Sequence, residues 1–142
     1  MTNWIIPCNL KYYDVFGAFK SLNKLDWKQS NPHIEPGDMV YIYVGAPVKA
    51  ICFQCHVTKS RLDHIEIDDS PFIIQGDIYI PAPLHMELQL LRTYDTDELS
   101  AEKLAAHGLK GRIMCQRRME STVEAYINSI HETKDSLRTQ TV

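Results

Sequence analysis

The sequence predicts an α+β domain in which a compact β-barrel carries about three helices on its outside. Several short segments alternate apolar and polar residues between Gly, Pro and Asp turn signals, as strands do. Three other segments carry the spacing or the capping residues of amphipathic helices. Because 142 residues is about the length of one domain, we expect a single folded unit.

The first strand and the first helix are predicted near the amino end. A strand is expected at about Asn3 to Cys8. Asp14 is a suitable N-cap for the helix that follows, because its carboxylate can accept a hydrogen bond from an amide of the first turn. The apolar positions of this helix follow the i, i+3, i+4, i+7 pattern and are Tyr12, Val15, Phe16, Phe19 and Leu22.

A β-hairpin is predicted around the turn at Gly45. A Pro36-Gly37-Asp38 turn precedes its first strand, and its second strand follows Gly45. Successive side chains of a strand point to opposite faces. The two faces comprise Val40, Ile42 and Val44 against Met39, Tyr41 and Tyr43 in the first strand, and Ile51, Phe53, Cys55 and Val57 against Cys52, Gln54, His56 and Thr58 in the second.

The second half of the chain is predicted to hold shorter strands and two helices. The strands are expected around residues 62–67, 72–74 and 86–94. One helix runs from about residue 96 to His107, and another opens with the capping box Ser121-Thr122-Val123-Glu124. Because the last residues are polar and lack periodicity, we expect one domain over 1–131 and a flexible tail over 132–142.

Composition and motifs exclude several classes of protein. No apolar run approaches the roughly 18 residues of a membrane span, and the first residues lack a signal-peptide pattern. We therefore expect a cytoplasmic protein with no membrane partner and with its four cysteines reduced.

Signals for catalysis and for metal binding are weak. Phosphate-binding loops, dinucleotide fingerprints, nucleophile elbows and zinc-protease motifs are absent. Cys52 and Cys55 have C-x-x-C spacing, but no second pair completes a zinc site, and in a regular strand they would face opposite sides. We therefore expect no enzymatic activity, no cofactor and no metal.

Charge is segregated along the chain although the net charge is only −3. The segment from Lys103 to Met119 contains five basic residues and no Asp or Glu. Such a segment is either an ordinary solvated surface or a local contact for phosphates. The candidates for phosphate contacts are Lys110, Arg112 and Arg117.

An aromatic side chain next to hydrogen-bonding groups is found at Trp27. Lys28, Gln29, Ser30 and Asn31 follow it directly. Packing in the core is the alternative interpretation of this tryptophan. An aromatic face beside polar side chains is, however, what an extruded nucleobase requires.

Five segments within residues 1–60 occur in a characteristic order and spacing. They are Trp4-Ile5-Ile6-Pro7-Cys8-Asn9, Tyr13-Asp14, Gly17-Ala18-Phe19, Asp26-Trp27-Lys28-Gln29-Ser30 and Gly37-Asp38-Met39-Val40-Tyr41-Ile42-Tyr43-Val44-Gly45. In these segments, which cover most of residues 1–60, the chain resembles the EVE domains of the PUA-like superfamily. EVE domains are similar in fold to the YTH domains that read methylated adenine in RNA.

The resemblance implies a PUA-like barrel that acts as a non-catalytic reader of DNA or RNA. A modified base, such as a methylated or hydroxymethylated cytosine, would be flipped into an aromatic pocket, and a separate effector protein is a possible partner. Carried over by position, the residues that would line the pocket are Cys8, Asn9, Trp27, Gln29 and Ser30, with Tyr43 as a weaker candidate. The alternative is a protein-interaction or small-metabolite-binding domain on the same fold.

Overall fold

A computed structural model describes residues 1–74 and 84–140, with side chains described as far as Asp135 in the last helix. The α+β class is confirmed, because within these described residues six strands form one mixed sheet beside three α-helices. The elements are β1 Asn3–Cys8, α1 Val15–Ser21, β2 Lys24–Lys28, β3 Met39–Val44, β4 Ala50–Leu62, β5 His85–Thr93, α2 Ala101–Ala106, β6 Arg117–Arg118 and α3 Ser121–Gln140. A 3₁₀ turn spans Ser70–Phe72.

The sheet has the strand order β2-β5-β4-β3-β1-β6. β1 pairs with β3 in parallel, and the other neighbouring strands are antiparallel. In the part of the chain that the structure describes, β2 and β6 are the two ends of this sheet and do not pair with each other. The predicted barrel is therefore not closed by strand pairing.

The two faces of the sheet carry separate apolar cores. One face packs against α1, which contributes Val15 and Ala18. The other face packs against α2 and α3, which contribute Leu104, Val123 and Ile127. The alternation predicted for β3 is confirmed, with Val40, Ile42 and Val44 in the first core and Met39, Tyr41 and Tyr43 at the second.

The alternation predicted for β4 is wrong at Ile51 and Cys52, which lie in the opposite cores from those expected. The pairing of β3 with β4 shifts register, so that Ile42 is opposite Phe53 and Tyr43 is opposite Ile51. A shift of this kind is a β-bulge, which lets neighbouring residues break the two-residue period. Cys52 and Cys55 consequently belong to the same core, where burial raises the pKa of both thiols.

Several element boundaries differ from the prediction. β4 ends at Leu62 and residues 63–67 form no strand. In place of the strand expected at 72–74, Phe72 belongs to the 3₁₀ turn and Ile73 forms only an isolated bridge with Tyr13. α2 begins five residues later than predicted, at Ala101, with Ser100 as its N-cap. α3 continues to Gln140, through a segment expected to fray, and β2 and β6 were not predicted.

Asp38 ties the amino terminus to the start of β3. Its carboxylate accepts hydrogen bonds from the backbone amides of Thr2 and Glu35 at 2.9 and 3.0 Å, and from the indole N–H of Trp4 at 2.9 Å. Burial acts to raise the pKa of Asp38, but these donors outweigh it and lower that pKa. Trp4 is therefore a core residue whose polar atom is satisfied.

Candidate binding cleft

A cleft of about 470 Å³ lies between the carboxyl end of β1, strand β2 and the segment that precedes β6. Its volume falls in the range of about 300–1,000 Å³ that is typical of small-ligand sites. Aromatic, polar and charged side chains are all present. The lining residues are Pro7, Cys8, Asn9, Tyr12, Tyr13, Asp26, Trp27, Lys28, Ser30, Met114, Cys115 and Gln116.

Trp27 forms an aromatic wall of the cleft. Only 9% of the residue is exposed, yet it borders the open space. The ring of Tyr13 meets the indole edge-on, with the centroids 5.5 Å apart and the planes at 70°. Such an edge-to-face pair is a favourable aromatic geometry and fixes the orientation of the indole.

Tyr13 is itself held from behind by a buried carboxylate. Its hydroxyl donates to Oδ2 of Asp69 at 2.7 Å. Burial raises the pKa of Asp69, and the Tyr13 hydrogen bond opposes that rise. The pair therefore anchors the tyrosine ring against Trp27.

Asp26 places a carboxylate beside Trp27. Its Oδ2 lies 2.8 Å from Nδ1 of His85, and the two side chains are only 10% and 8% exposed. Burial raises the pKa of Asp26, while the charge of and hydrogen bond to His85 act to lower it. Within the described residues no hydrogen bond is made to Oδ1 of Asp26, and Asp26 is one of the residues that line the cleft.

Gln116 joins the two sides of the cleft. Its Oε1 accepts from the amides of Ser30 and Asn31 at 2.9 and 3.1 Å, and its Nε2 donates to the carbonyl of Lys28 at 2.6 Å. The side chain of Asn31 returns a hydrogen bond to the carbonyl of Gln116. Side-chain bonds thus connect the two ends of the sheet, which strand pairing leaves apart.

Four of the predicted base-binding residues come together in this cleft. Cys8, Asn9, Trp27 and Ser30 all line it. Burial, with smaller effects of the neighbouring Cys52 and Asp14, raises the pKa of the Cys8 thiol to about 12, so this thiol is protonated at neutral pH. The hydroxyl of Ser30 and the amide of Asn9 are exposed polar groups.

Gln29 does not reach the cleft. The residue is 3% exposed, and its Nε2 donates to the carbonyls of Asn31 and Ile34, both at 3.0 Å. Its Oε1 accepts from the amide of Arg61 at 2.8 Å. All three bonds go to the backbone, so the amide holds a loop in place and is not oriented toward a ligand.

A second cleft of about 500 Å³ adjoins the first. Tyr43 lines this one and not the cleft beside Trp27. The two clefts share a run of residues at the end of β1 together with Met114. The residues that line the second cleft are Pro7, Cys8, Asn9, Lys11, Tyr43, Gly45, Ala46, Ile113 and Met114.

The cations nearest to the clefts are not those that the sequence predicted. Lys28 lines the first cleft and Lys11 lines the second. Lys110 and Arg112 are exposed, but neither lines a cleft described here. Arg117 donates to the carbonyl of Lys110 at 2.8 Å and lies 3.7 Å from Glu120.

Among the described residues, no three or more His, Cys, Asp or Glu side chains lie close enough together to hold a metal ion. No helix within residues 1–74 and 84–140 combines the length and the apolar character needed to cross a bilayer.

Comparison with solved structures gives matches over most of the chain. A hypothetical protein from Leishmania major aligns with a TM-score of 0.64 at 14% identity, covering 95% of this chain and 97% of that one. A protein from Pseudomonas putida gives a TM-score of 0.61 at 12% identity, covering 89% and 97%. The ASCH protein from Zymomonas mobilis gives 0.59 at 10% identity, covering 90% and 94%. No protein-family model and no curated protein matches the sequence.

The chain shares its fold with the ASCH protein of Zymomonas mobilis. At identities of 10–14% the likeness shows the fold alone. The matches therefore establish a shared fold, and they do not decide the resemblance to EVE domains. Activity and ligands have to be argued from the cleft itself.

Proposed function

We propose that this chain is a non-catalytic RNA-binding module that holds one unpaired base in the cleft beside Trp27. The finer part of the proposal is that the preferred base is a modified cytosine. The observation that carries it is that two residues line the same cleft. One is Trp27, whose indole is held by Tyr13, and the other is Asp26, whose Oδ1 accepts no hydrogen bond from a described residue.

Trp27 supplies the stacking partner. Base–aromatic stacking contributes about 1–3 kcal/mol per base and works for every base, because each has a π-face. The indole is held in place by Tyr13, so it loses little conformational freedom when a base arrives. A base inside a duplex cannot reach such a wall, and the ligand must be single-stranded or extruded.

Asp26 supplies selectivity for the edge of the base. An ionised carboxylate only accepts hydrogen bonds, so it favours a base that presents an amino group. Cytosine has such a donor at N4, whereas uracil has a carbonyl oxygen at the same position. We therefore expect cytosine to bind better than uracil, and a methyl group on the pyrimidine gains contact with apolar lining such as Pro7 and Met114.

Weak electrostatics and an unreactive thiol support a selective, non-catalytic module. The net charge of −3 gives little general attraction to phosphates, so affinity depends on the base in the cleft. The Cys8 thiol, with its pKa raised to about 12, is not a nucleophile at neutral pH. Mass spectrometry of RNA incubated with the protein is expected to show neither cleavage nor an altered base.

Fluorescence anisotropy with short labelled RNAs tests the proposal. Each RNA carries one central base, either unmodified or modified, in an otherwise constant strand. Trp27→Leu removes the aromatic face but keeps most of the packing volume, and we expect at least a fivefold loss of affinity, since stacking is worth about 1–3 kcal/mol. Leu91→Ala, at an exposed position of β5 that lines neither cleft, is the control and is expected to bind like the parent.

Three results would contradict the proposal. Equal affinity for every modified and unmodified RNA would show that the protein does not distinguish bases. Unchanged binding by a folded Trp27→Leu variant would show that RNA does not bind in the cleft beside Trp27. Binding of a free nucleoside without binding of any RNA would favour the metabolite-binding alternative.

A further inference from the structure

We propose that the second cleft is a subsite for a neighbouring nucleotide, so that the chain takes two consecutive nucleotides with Met114 between them. This inference rests on the proposed function, since it assigns the first cleft to a base. It adds a second aromatic position, a phosphate position and a minimum ligand length.

The two clefts are neighbours on the surface. They have similar volumes of about 470 and 500 Å³, and both are lined by Pro7, Cys8, Asn9 and Met114. A ligand that fills the first cleft therefore meets the second cleft at once as it continues past Asn9. A polynucleotide can fill both clefts because its consecutive nucleotides are covalently linked, whereas a single free base can fill only one.

Tyr43 gives the second cleft its aromatic side chain. It lies in β3 opposite Pro7 of β1, and the residue is half-buried against the core formed with α2 and α3. This packing fixes one side of the ring while the residue still lines the cleft. A fixed aromatic ring of this kind can stack on a base of any sequence.

Met114 stands where the two clefts meet. It is 78% exposed, so its side chain is accessible to a ligand that spans both clefts. Apolar side chains that protrude in this way are used by nucleic-acid-binding proteins as wedges between successive bases. Met114 therefore separates the two base positions.

Asn9 and Lys11 are suited to the phosphate that links the two nucleotides. Asn9 lines both clefts, and its Oδ1 already accepts from the amide of Lys11 at 2.9 Å. Its Nδ2 thus remains as the donor of that side chain. Lys11 lines the second cleft and forms no ion pair within the described residues. The Asn9 amide can donate a hydrogen bond to a phosphodiester between the two clefts, and the Lys11 ammonium group can pair with its charge.

Isothermal titration with a mononucleotide, a dinucleotide and a dinucleotide that lacks its second base tests the subsite. All three carry the same first base and the same number of phosphates. We expect the dinucleotide to bind roughly tenfold more tightly than the mononucleotide, which corresponds to one additional stacked base. The abasic dinucleotide is expected to lose most of this gain, and this comparison requires no variant protein.

Tyr43→Leu is the matching protein variant. It keeps apolar packing against the core but removes the ring, and we expect the dinucleotide and mononucleotide to bind to it equally. Leu91→Ala, which lines neither cleft, is expected to retain the tenfold difference.

The outcomes separate the two proposals. The second subsite is overturned if the mononucleotide binds and the dinucleotide binds no more tightly. It is also overturned if the abasic dinucleotide keeps the full gain in affinity. Either result leaves the proposed role of the first cleft intact. Absence of binding by any of the nucleotides and by RNA overturns the proposed function and the subsite with it.

Discussion

In the proposed function Asp26 selects the base, because its carboxylate is the proposed acceptor beside the indole. Replacement by Asn keeps the size but adds a donor and removes the charge. Asp26→Asn is therefore expected to lose most of the preference for cytosine over uracil, a change of about tenfold, since a hydrogen bond to a charged group contributes roughly 1.5–3 kcal/mol. Anisotropy with the two RNAs measures this ratio.

The exposed Asp95 provides the matched control for that substitution. Asp95→Asn makes the same chemical change at a position that lines neither cleft, and it is expected to keep the preference of the parent. An Asp26→Asn protein that still prefers cytosine to the same degree would show that another group reads the base edge.

Asp38 makes stability depend on pH through three hydrogen bonds. Asp38→Asn places a donor among these donors, and we expect a loss of about 1–3 kcal/mol in the free energy of unfolding at pH 7. The pKa of Asp38 is lowered in the folded state, so its contribution is present above the pKa of an unfolded aspartate and is lost as the pH falls through the folded pKa.

Urea unfolding across acidic and neutral pH measures this contribution. The difference in unfolding free energy between parent and variant is expected to shrink as the medium becomes acidic. A difference that stays constant down to strongly acidic pH would mean that packing, and not the charge on Asp38, causes the loss.

The sequence predicted Trp27 and the end of β1 at the cleft but could not predict Gln116. Gln116 bonds to the amide of Ser30, which is 86 positions away, and no local pattern records such a contact. Gln29 was assigned to the cleft because it follows Trp27 closely. Its amide instead satisfies backbone groups as distant as Arg61, which only the folded chain reveals.

At the scale of elements, the alternation of apolar and polar residues predicted the regular strands. β1 and β3 carry regular alternation, and both were predicted with the observed bounds. The segment Lys24–Lys28 also alternates apolar and polar residues, so β2 does have a local signal in the sequence. The bulge in β4 depends on how β3 pairs with it, and β6 has only two residues, so neither leaves a clear local pattern.

Gln116 acts as a clamp between the segment before β6 and the segment after β2. Gln116→Ala removes the acceptor for the amides of Ser30 and Asn31, so hydrogen exchange of these two amides is expected to become faster. Amides that pair β3 with β4 are expected to be unchanged, because they do not contact Gln116. Hydrogen exchange followed by NMR gives both rates in one experiment.

Gln116→Glu is the matched control for the clamp. It keeps an oxygen acceptor for the two amides and loses only the donor to the carbonyl of Lys28. Protection of Ser30 and Asn31 is therefore expected to persist in this variant. Equal exchange in the parent and in Gln116→Ala would show that the cleft walls are held by other contacts.

At the scale of the whole molecule, the sequence predicted the fold class and the membership of the cores better than the topology. The predicted alternation of β3 correctly divides its residues between two faces, and each face belongs to one of the two cores. The parallel pairing of β1 with β3 and the position of β2 at one end of the sheet depend on contacts between distant segments. The same topology brings the end of β1 to Trp27 and so creates the cleft.

The charge distribution of the whole molecule predicts a shallow salt dependence of RNA binding. If Lys28 and Lys11 are the phosphate contacts, the logarithm of the association constant falls with the logarithm of salt concentration at a slope of about −1.4, since each contact to a single strand contributes about −0.7. Lys11→Ala is expected to make the slope shallower by about 0.7, the contribution of one contact. Lys110→Ala is expected to leave the slope unchanged, because Lys110 lines neither cleft. A slope near −3.5, reduced by Lys110→Ala, would instead place the RNA backbone across the basic segment around Arg112 and Arg117, as the sequence alone predicted.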